Sequence, residues 1–259
     1  MVDLRLGSMV MEDTGEGPAV VMIHGLGGSS NSFETLMGAL QGYRVLRPDL
    51  PGAGRSALKP GLSGLRSLTQ AVWSLVRSSG IDRAYLVGHS MGTLICQYVA
   101  AEHSQKIIGM TLFGPILEPP AAARDALKGR AAIAQAEGIA GVAEAVATGS
   151  IAEASRRANP VAKAFVRESL MRQDPMGYAA HCRALSDCAP ADHGGIACPT
   201  LLVAGEADPV APVAMARDLE ARIAGARLEI MPGVAHWMMI EAPQRSAELL
   251  RSHLEQAAG

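Results

Sequence analysis

Aromatic residues are scarce in this chain of 259 residues, because Phe, Trp and Tyr together make up only 3%. Any small-molecule pocket must therefore be lined mainly by Leu, Met, Val and Ala. The chain also lacks an excess of one charge, since 23 Lys and Arg stand against 25 Asp and Glu. This balance argues against nucleic acid or a membrane surface as partner, and it favours a small organic molecule. The composition of the chain does not predict an oligomeric state.

Long apolar runs are absent as well. No stretch approaches the roughly 18 apolar residues of a membrane span. The first residues, Met-Val-Asp-Leu-Arg-Leu, lack the basic start and apolar core of a signal peptide. We therefore expect a cytoplasmic protein. The four cysteines show no C-x-x-C spacing, which favours free thiols over disulfides or metal ligands.

What the chain does contain is an alternation of apolar strands and helices. With 49% hydrophobic residues it can bury a full core as one domain. Short apolar runs predict buried parallel strands at 19–23, 43–47, 84–87, 107–113, 200–204 and 228–231. Helix-length segments lie at 31–40, 65–79, 91–103, 212–223 and 243–256. The alternation predicts an α/β fold, with a mostly parallel sheet and helices on both faces. Residues 2–12, broken at Gly7, are expected to add an antiparallel hairpin at the sheet edge.

One region, residues 118–195, breaks this alternation. It contains no convincing strand, and helical periodicity recurs at 121–137, 139–147, 161–172 and 177–185. We interpret it as a helical cap inserted into a core made of residues 1–117 and 196–259. The alternative is a peripheral excursion that never meets a pocket. Insertions at the carboxyl ends of strands sit over the ligand site of such sheets, which favours the cap.

The motif Gly88-His89-Ser90-Met91-Gly92 follows the apolar run 84–87 and opens a helical segment. This order of strand, tight turn and helix is typical of a nucleophile elbow, in which a strained serine needs small flanking residues. Asp208 follows the predicted strand 200–204, and His236 follows 228–231. Ser90, Asp208 and His236 therefore leave the same edge of one sheet. They are the candidate catalytic triad, with His236 as the base and Asp208 as the acid that orients it.

Together these motifs resemble those of the α/β-hydrolases over essentially the whole chain. The resemblance also includes residues 24–28 (His-Gly-Leu-Gly-Gly), 49–56 (Asp-Leu-Pro-Gly-Ala-Gly-Arg-Ser) and 233–243. Within the insertion, residues 130–138, 171–178 and 182–185 resemble the cap of 3-oxoadipate enol-lactonases and related small carboxylesterases. The chain departs from the common patterns at Phe33, Thr93 and Ala235. These departures affect the shape of the pocket rather than the mechanism.

The resemblance implies an oxyanion hole made of two backbone N–H groups, one after the nucleophile and one after an early strand. In this chain they belong to Met91 and Leu26. Candidate substrate contacts are Gly25, Trp237 and Met238, with core packing as an equal alternative for the last two. In the cap, Met171, Met176, Ala179 and Ala180 suggest a compact apolar chamber for short acyl groups.

Several residues offer alternative roles. His24 and His89 could act as second bases, although hydrogen bonding to loop backbone is the favoured interpretation. Asp187 or Asp192 could replace Asp208 as the acid. The cap arginines Arg124, Arg130, Arg156, Arg157 and Arg183 are interpreted as a solvated surface, while recognition of a substrate carboxylate is kept as a hypothesis.

The sequence therefore predicts a serine hydrolase of small carboxylic esters or lactones that needs no cofactor and no metal. The histidines outside the motifs have no ligand spacing, which supports the metal-free interpretation. C–C bond hydrolases, acyltransferases and perhydrolases on the same scaffold remain alternatives. So does a receptor that binds a small molecule in the same pocket without catalysis.

Overall fold

The computed structural model describes residues 2–6, 9–62 and 64–258. Its strands are β1 (Val2–Leu6), β2 (Met9–Thr14), β3 (Ala19–Ile23), β4 (Arg44–Pro48), β5 (Ala84–His89), β6 (Ile107–Phe113), β7 (Thr200–Gly205) and β8 (Ala226–Met231). They form one sheet in the order β1-β2-β4-β3-β5-β6-β7-β8. Strands β3 to β8 are parallel, while β2 pairs antiparallel with β1 and β4. The predicted α/β class and edge hairpin are confirmed, and Gly7 lies outside the described residues.

The helices follow the predicted segments closely. They are α1 (Leu65–Ser78), α2 (Met91–Glu102), α3 (Ala121–Glu137), α4 (Ala140–Gly149), α5 (Glu153–Ala158), α6 (Pro160–Met171), α7 (Pro175–Ser186), α8 (Val213–Arg222), α9 (Met238–Glu241) and α10 (Pro243–Ala258). The predicted helix 31–40 is a 3₁₀ helix, Ser30–Leu40. Its Ser, Asn and Thr side chains compete for backbone hydrogen bonds, which disfavours a regular α-helix.

Alternation along the strands explains why both faces of the sheet are covered. Side chains of a strand point alternately to opposite faces. In β3, Val21 and Ile23 enter one hydrophobic core, and Val20 and Met22 enter a second. Helices α1, α2 and α8 bury their apolar residues in the first core. The 3₁₀ helix and α10 bury theirs in the second.

Helices α3 to α7 form a helical insertion between β6 and β7. Helices α3 and α7 pack against each other, and Leu127, Ala134 and Cys182 belong to the first core. Helix α5 escaped the sequence analysis because it has no buried residue and so no apolar periodicity. None of the helices in the described ranges is long and apolar enough to cross a membrane.

Candidate active site

Ser90 lies in the tight turn between β5 and α2. Its φ of 52° is the one positive φ among the non-glycine residues that the structure describes. This conformation costs on the order of 1–3 kcal/mol and persists only where the surroundings hold it. Here the Ser90 N–H donates to the carbonyl of Phe113 at 2.9 Å, and the Thr93 hydroxyl donates to the Ser90 carbonyl at 2.6 Å. These two hydrogen bonds, one at the N–H of Ser90 and one at its carbonyl, therefore hold the turn in this conformation.

The glycines on either side of Ser90 allow close packing beneath it. A Cβ at Gly92 would lie 2.0 Å from the carbonyl oxygen of Ile23, and a Cβ at Gly88 would lie 2.8 Å from the Cys96 sulfur. Neither distance is compatible with a side chain. The sequence-based reason for small residues at both positions is thus confirmed.

His236 joins the two other predicted triad residues. Its Nε2 lies 2.8 Å from Ser90 Oγ, and its Nδ1 lies 2.8 Å from Asp208 Oδ2. All three residues are 5% exposed. Because Asp208 accepts at Nδ1, that nitrogen carries the proton and Nε2 is free to accept from the serine. The arrangement can therefore transfer a proton from Ser90 to His236.

Asp208 is held as a carboxylate. Its Oδ1 accepts from the N–H of Val210 at 2.7 Å and of Ala211 at 3.0 Å. Burial acts to raise the pKa of Asp208, but the charge and hydrogen bond of His236, with the two N–H groups, outweigh burial and lower it. A charged Asp208 keeps His236 in the tautomer that accepts from Ser90.

The alternative acids do not reach His236. Asp187 ends helix α7 and accepts from the Ser186 hydroxyl at 2.9 Å. Asp192 lies beside the 3₁₀ helix at 193–195, within 3.5 Å of a Cβ built on Gly194. The structure therefore brings Asp208 alone of the three to the histidine.

His24 and His89 have structural partners, as the favoured interpretation of each predicted. His24 Nδ1 lies 2.8 Å from the Gly25 carbonyl, and its Nε2 accepts from the Leu50 N–H at 2.9 Å. The Nε2–H of His89 donates to the His236 carbonyl at 2.9 Å. Burial, followed by the nearby charge of His236, lowers the pKa of His89 to about 3. His89 thus stays neutral and supports the main chain of His236.

A cavity of about 330 Å³ opens beside Ser90 and His236. Its volume is in the range of small-ligand sites. Residues of the parallel-sheet core and residues of the helical insertion both line it. The apolar lining includes Ile116, Pro119, Ala123, Leu127, Ala145, Val146, Val210 and Met215. Two aromatic residues, Tyr178 and Trp237, also line the cavity.

Two predictions about this lining are wrong. Of the cap residues expected to line the chamber, Met171 and Met176 are 41% and 50% exposed on the outside of the insertion, and Ala179 and Ala180 do not line the cavity either. Met238, expected to contact substrate, is fully buried in the second core. It begins α9 and does not line the cavity. Leu127, Ala123 and Val146 take the place of the two cap methionines.

The other candidate contacts lie close to Ser90. Trp237 lines the cavity, and so does Leu26, one of the two predicted oxyanion residues. Met91 is the first residue of α2, where the N–H has no partner within the helix. Gly25 does not line the cavity, but a Cβ there would lie 2.8 Å from Ser90 Cβ. Its role is therefore to let the loop of Leu26 approach the serine.

Sequence reasoning missed the contacts that hold the His236 loop to the insertion. The N–H of His236 donates to the carbonyl of Ser150, at the end of α4, at 3.1 Å. The Glu241 carboxylate accepts from Ala152 N–H at 3.0 Å and from Ala235 N–H at 3.2 Å. These contacts join segments distant in sequence, and no motif marks them.

Comparison with known proteins places the chain in a family. A family model described as alpha/beta hydrolase fold matches residues 18–243. The chain is 30% identical to the pimeloyl-(acyl-carrier protein) methyl ester esterase of Chromobacterium violaceum, over 97% of this chain and 100% of that protein. It is 25% identical to 3-oxoadipate enol-lactonase 1 of Acinetobacter baylyi, over 90% of this chain and 86% of the relative.

A solved structure agrees with these matches. The enol-lactonase from Burkholderia xenovorans LB400 has a TM-score of 0.90 and 29% identity, covering 95% of this chain and 96% of that one. Matches to three further curated relatives span only 33% to 39% of their length. The resemblance to the enol-lactonase branch is confirmed. Since the family model covers most of the chain and a relative matches its full length, this chain belongs to the α/β-hydrolase fold family.

Proposed function

We propose that this protein is a serine hydrolase that cleaves small carboxylic esters or lactones through an acyl-enzyme. The observation that carries the proposal is the hydrogen-bonded chain from Ser90 through His236 to Asp208, with both distances at 2.8 Å, beside an apolar cavity. The names of the enol-lactonase and esterase relatives support the same chemistry.

The first half of the reaction forms the acyl-enzyme. Ser90 Oγ attacks the substrate carbonyl carbon while its proton passes to His236 Nε2. The negative charge moves to the carbonyl oxygen, where the N–H groups of Leu26 and Met91 stabilise it. Asp208 stabilises the imidazolium. As the intermediate collapses, the bond to the leaving oxygen breaks, and that oxygen takes the proton from His236.

The second half releases the acid. A water molecule gives a proton to His236 and attacks the ester carbon, and the bond to Ser90 Oγ then breaks as the serine regains its proton. In a lactone the leaving alcohol stays attached to the acyl chain, so the product is one hydroxy acid. No step needs a metal or a cofactor.

The division predicted from the sequence is part of this proposal. The core, residues 1–117 and 196–259, supplies the triad, and the cap, residues 118–195, covers it. The lining of the cavity by α3 and α4 supports this assignment. We expect cap residues to influence which substrate is chosen and core residues to carry out the chemistry.

Labelling with a fluorophosphonate probe, together with turnover of p-nitrophenyl acetate, tests the proposal. We expect one covalent adduct per chain, on the peptide that contains Ser90. The matched control is Ser252→Ala on the exposed face of α10, which should label and turn over normally. A wild-type protein that neither labels nor turns over the ester would contradict the proposal and favour a small-molecule receptor.

A further inference from the structure

The arginines of the insertion differ in where their side chains lie. Arg156 donates to the Thr148 carbonyl at 2.7 Å, Arg157 pairs with Glu153, and Arg183 donates to Gln135 at 3.0 Å. Arg124, on α3, donates to the Cys188 carbonyl at 2.9 Å. Arg130, on α3, instead lines the cavity that contains Ser90.

Arg130 is also without a partner for its charge. It is partly buried, and no carboxylate within the described residues lies at ion-pair distance from it. Among the cavity-lining residues that the structure describes, Arg130 alone has a permanently charged side chain. Taking an unpaired charge out of water is costly unless an opposite charge or hydrogen bonds compensate it. A charge placed in this way is suited to an anion that enters the cavity.

A second observation concerns a lining residue beside Arg130. Tyr178, on α7, is a lining residue that is only 1% exposed. Its hydroxyl is buried, and its polar neighbours, the Arg130 guanidinium and the Cys182 thiol, do not meet hydrogen-bond geometry with it. Burial raises the pKa of this hydroxyl, while the nearby charge of Arg130 acts in the opposite direction. The group is thus a neutral O–H donor beside a guanidinium.

A buried hydroxyl without a partner is uncommon, because it has lost its hydrogen bonds to water without gaining a replacement. A carboxylate is the ligand that satisfies both groups. It accepts two N–H donors from a guanidinium in a planar, charge-assisted arrangement, and its remaining lone pairs can accept from the tyrosine hydroxyl. The apolar residues that line the same cavity can contact a short hydrocarbon chain.

We infer that Arg130 and Tyr178 form a carboxylate-binding subsite, so that the preferred substrate is an ester or lactone whose acyl part bears a free carboxylate. The inference rests on the proposed function and specifies its substrate class. Arg130 binds the carboxylate, and the Tyr178 hydroxyl donates a hydrogen bond to it. The short hydrocarbon chain between the carboxylate and the ester carbonyl of the substrate then places the carbonyl carbon at Ser90 Oγ.

The test compares mono-p-nitrophenyl glutarate with p-nitrophenyl 5-methylhexanoate, in which an isopropyl group replaces the carboxylate. After subtraction of uncatalysed hydrolysis, wild-type kcat/KM should favour the acidic ester by at least about tenfold. Arg130→Gln should abolish that preference, measured as the ratio of the two kcat/KM values in the variant itself. The exposed Arg183→Gln is the matched control and should keep the preference.

Tyr178→Phe gives a second readout. It should lower the preference for the acidic ester by about threefold or more while Tm stays equal or rises, because the change removes a buried hydroxyl without a partner. A lower Tm with an unchanged preference would contradict the assignment of Tyr178. An unchanged preference in Arg130→Gln, or no preference in the wild type, would overturn the subsite.

Failure of the proposed function looks different, since neither ester would then be hydrolysed. In that event the subsite is tested by calorimetric binding of glutarate against its neutral dimethyl ester. Binding of glutarate that is stronger in the wild type than in Arg130→Gln would support the subsite, and equal binding would overturn it.

Discussion

The indole N–H of Trp237 donates a hydrogen bond to the hydroxyl of Ser150 at 3.0 Å, although the two residues lie 87 positions apart. The preceding N–H, from His236, donates to the Ser150 carbonyl at 3.1 Å. Ser150 ends α4 of the insertion. The segment that carries the histidine is therefore fastened directly to the insertion, and a displacement of α4 would displace His236 with it.

Glu241 completes this connection, and its substitution gives the first prediction. One carboxylate oxygen accepts from Ala152 and Ala235, and the other accepts from the Trp237 N–H at 3.1 Å. Glutamine provides one acceptor oxygen and no charge. We expect Glu241→Gln to lower kcat about tenfold with KM within about twofold, and to lower the free energy of unfolding by about 1–3 kcal/mol.

The control for this prediction is Glu248→Gln, on the exposed side of α10, which should change neither quantity. A normal kcat in Glu241→Gln, despite a lower stability, would mean that Glu241 stabilises the fold without positioning His236.

Stability should depend on pH through buried histidines. Burial lowers the pKa of His24, of His89 to about 3 and of His181 to about 4, from an ordinary value of 6.5. Between that value and the lowered one, the unfolded chain binds a proton that the folded chain does not. The free energy of unfolding should therefore fall as pH drops below about 6.5, by roughly 1–2 kcal/mol each for His89 and His181 between pH 7 and pH 5.

Urea unfolding at pH 7 and pH 5 measures this slope before carboxylates titrate in the unfolded chain. His181→Gln keeps a donor for the Pro51 carbonyl, to which His181 Nε2 lies at 2.8 Å. This substitution should reduce the change in the free energy of unfolding between pH 7 and pH 5 by the contribution of one histidine. A stability that is constant from pH 7 to pH 5 would show that these side chains bind protons in the folded state.

Replacing glycine by alanine should have opposite effects on the free energy of unfolding at Gly92 and at Gly129. A Cβ at Gly92 would meet the Ile23 carbonyl at 2.0 Å, whereas a Cβ at Gly129 in α3 meets nothing within 4 Å. Gly92→Ala should lower the free energy of unfolding by about 3 kcal/mol or more. Gly129→Ala should raise it by about 0.5–1 kcal/mol, since alanine is the better helix former. Denaturant midpoints would decide, and a tolerated Gly92→Ala would contradict the packing described under Ser90.

Chain length should matter for the acyl group. A cavity of about 330 Å³ accommodates short acyl groups, and each misfit methylene costs on the order of 1–3 kcal/mol. Hydrolysis of p-nitrophenyl esters with C2 to C4 acyl groups should exceed that of C12 esters by at least about tenfold in kcat/KM. A preference for the long chain would contradict this limit on acyl length.

The sequence predicted those parts of the fold that depend on local pattern. Strands β3 and β6 begin and end as predicted, because buried parallel strands are continuous apolar runs. Helix α3 was found to the residue. Helix α5 buries nothing, so no apolar stripe marks it.

Local sequence pattern likewise predicts some residues of the candidate active site and not others. Ser90, Asp208 and His236 were predictable because each follows a strand, and parallel strands present their carboxyl ends at one edge. Met238 was misplaced because adjacency to His236 in sequence says nothing about the face on which a helical turn places a side chain. Arg130 and Ser150 could not be singled out, since their positions depend on how the insertion packs on the sheet.

The central claim is that Ser90 is the nucleophile, and the most direct test is kcat/KM for p-nitrophenyl acetate in Ser90→Ala beside the wild type. Both proteins should show the same circular dichroism, because the substitution removes one hydroxyl. The account predicts a loss on the order of 10⁴ to 10⁶. A folded Ser90→Ala protein that keeps more than about a tenth of the wild-type kcat/KM would contradict it.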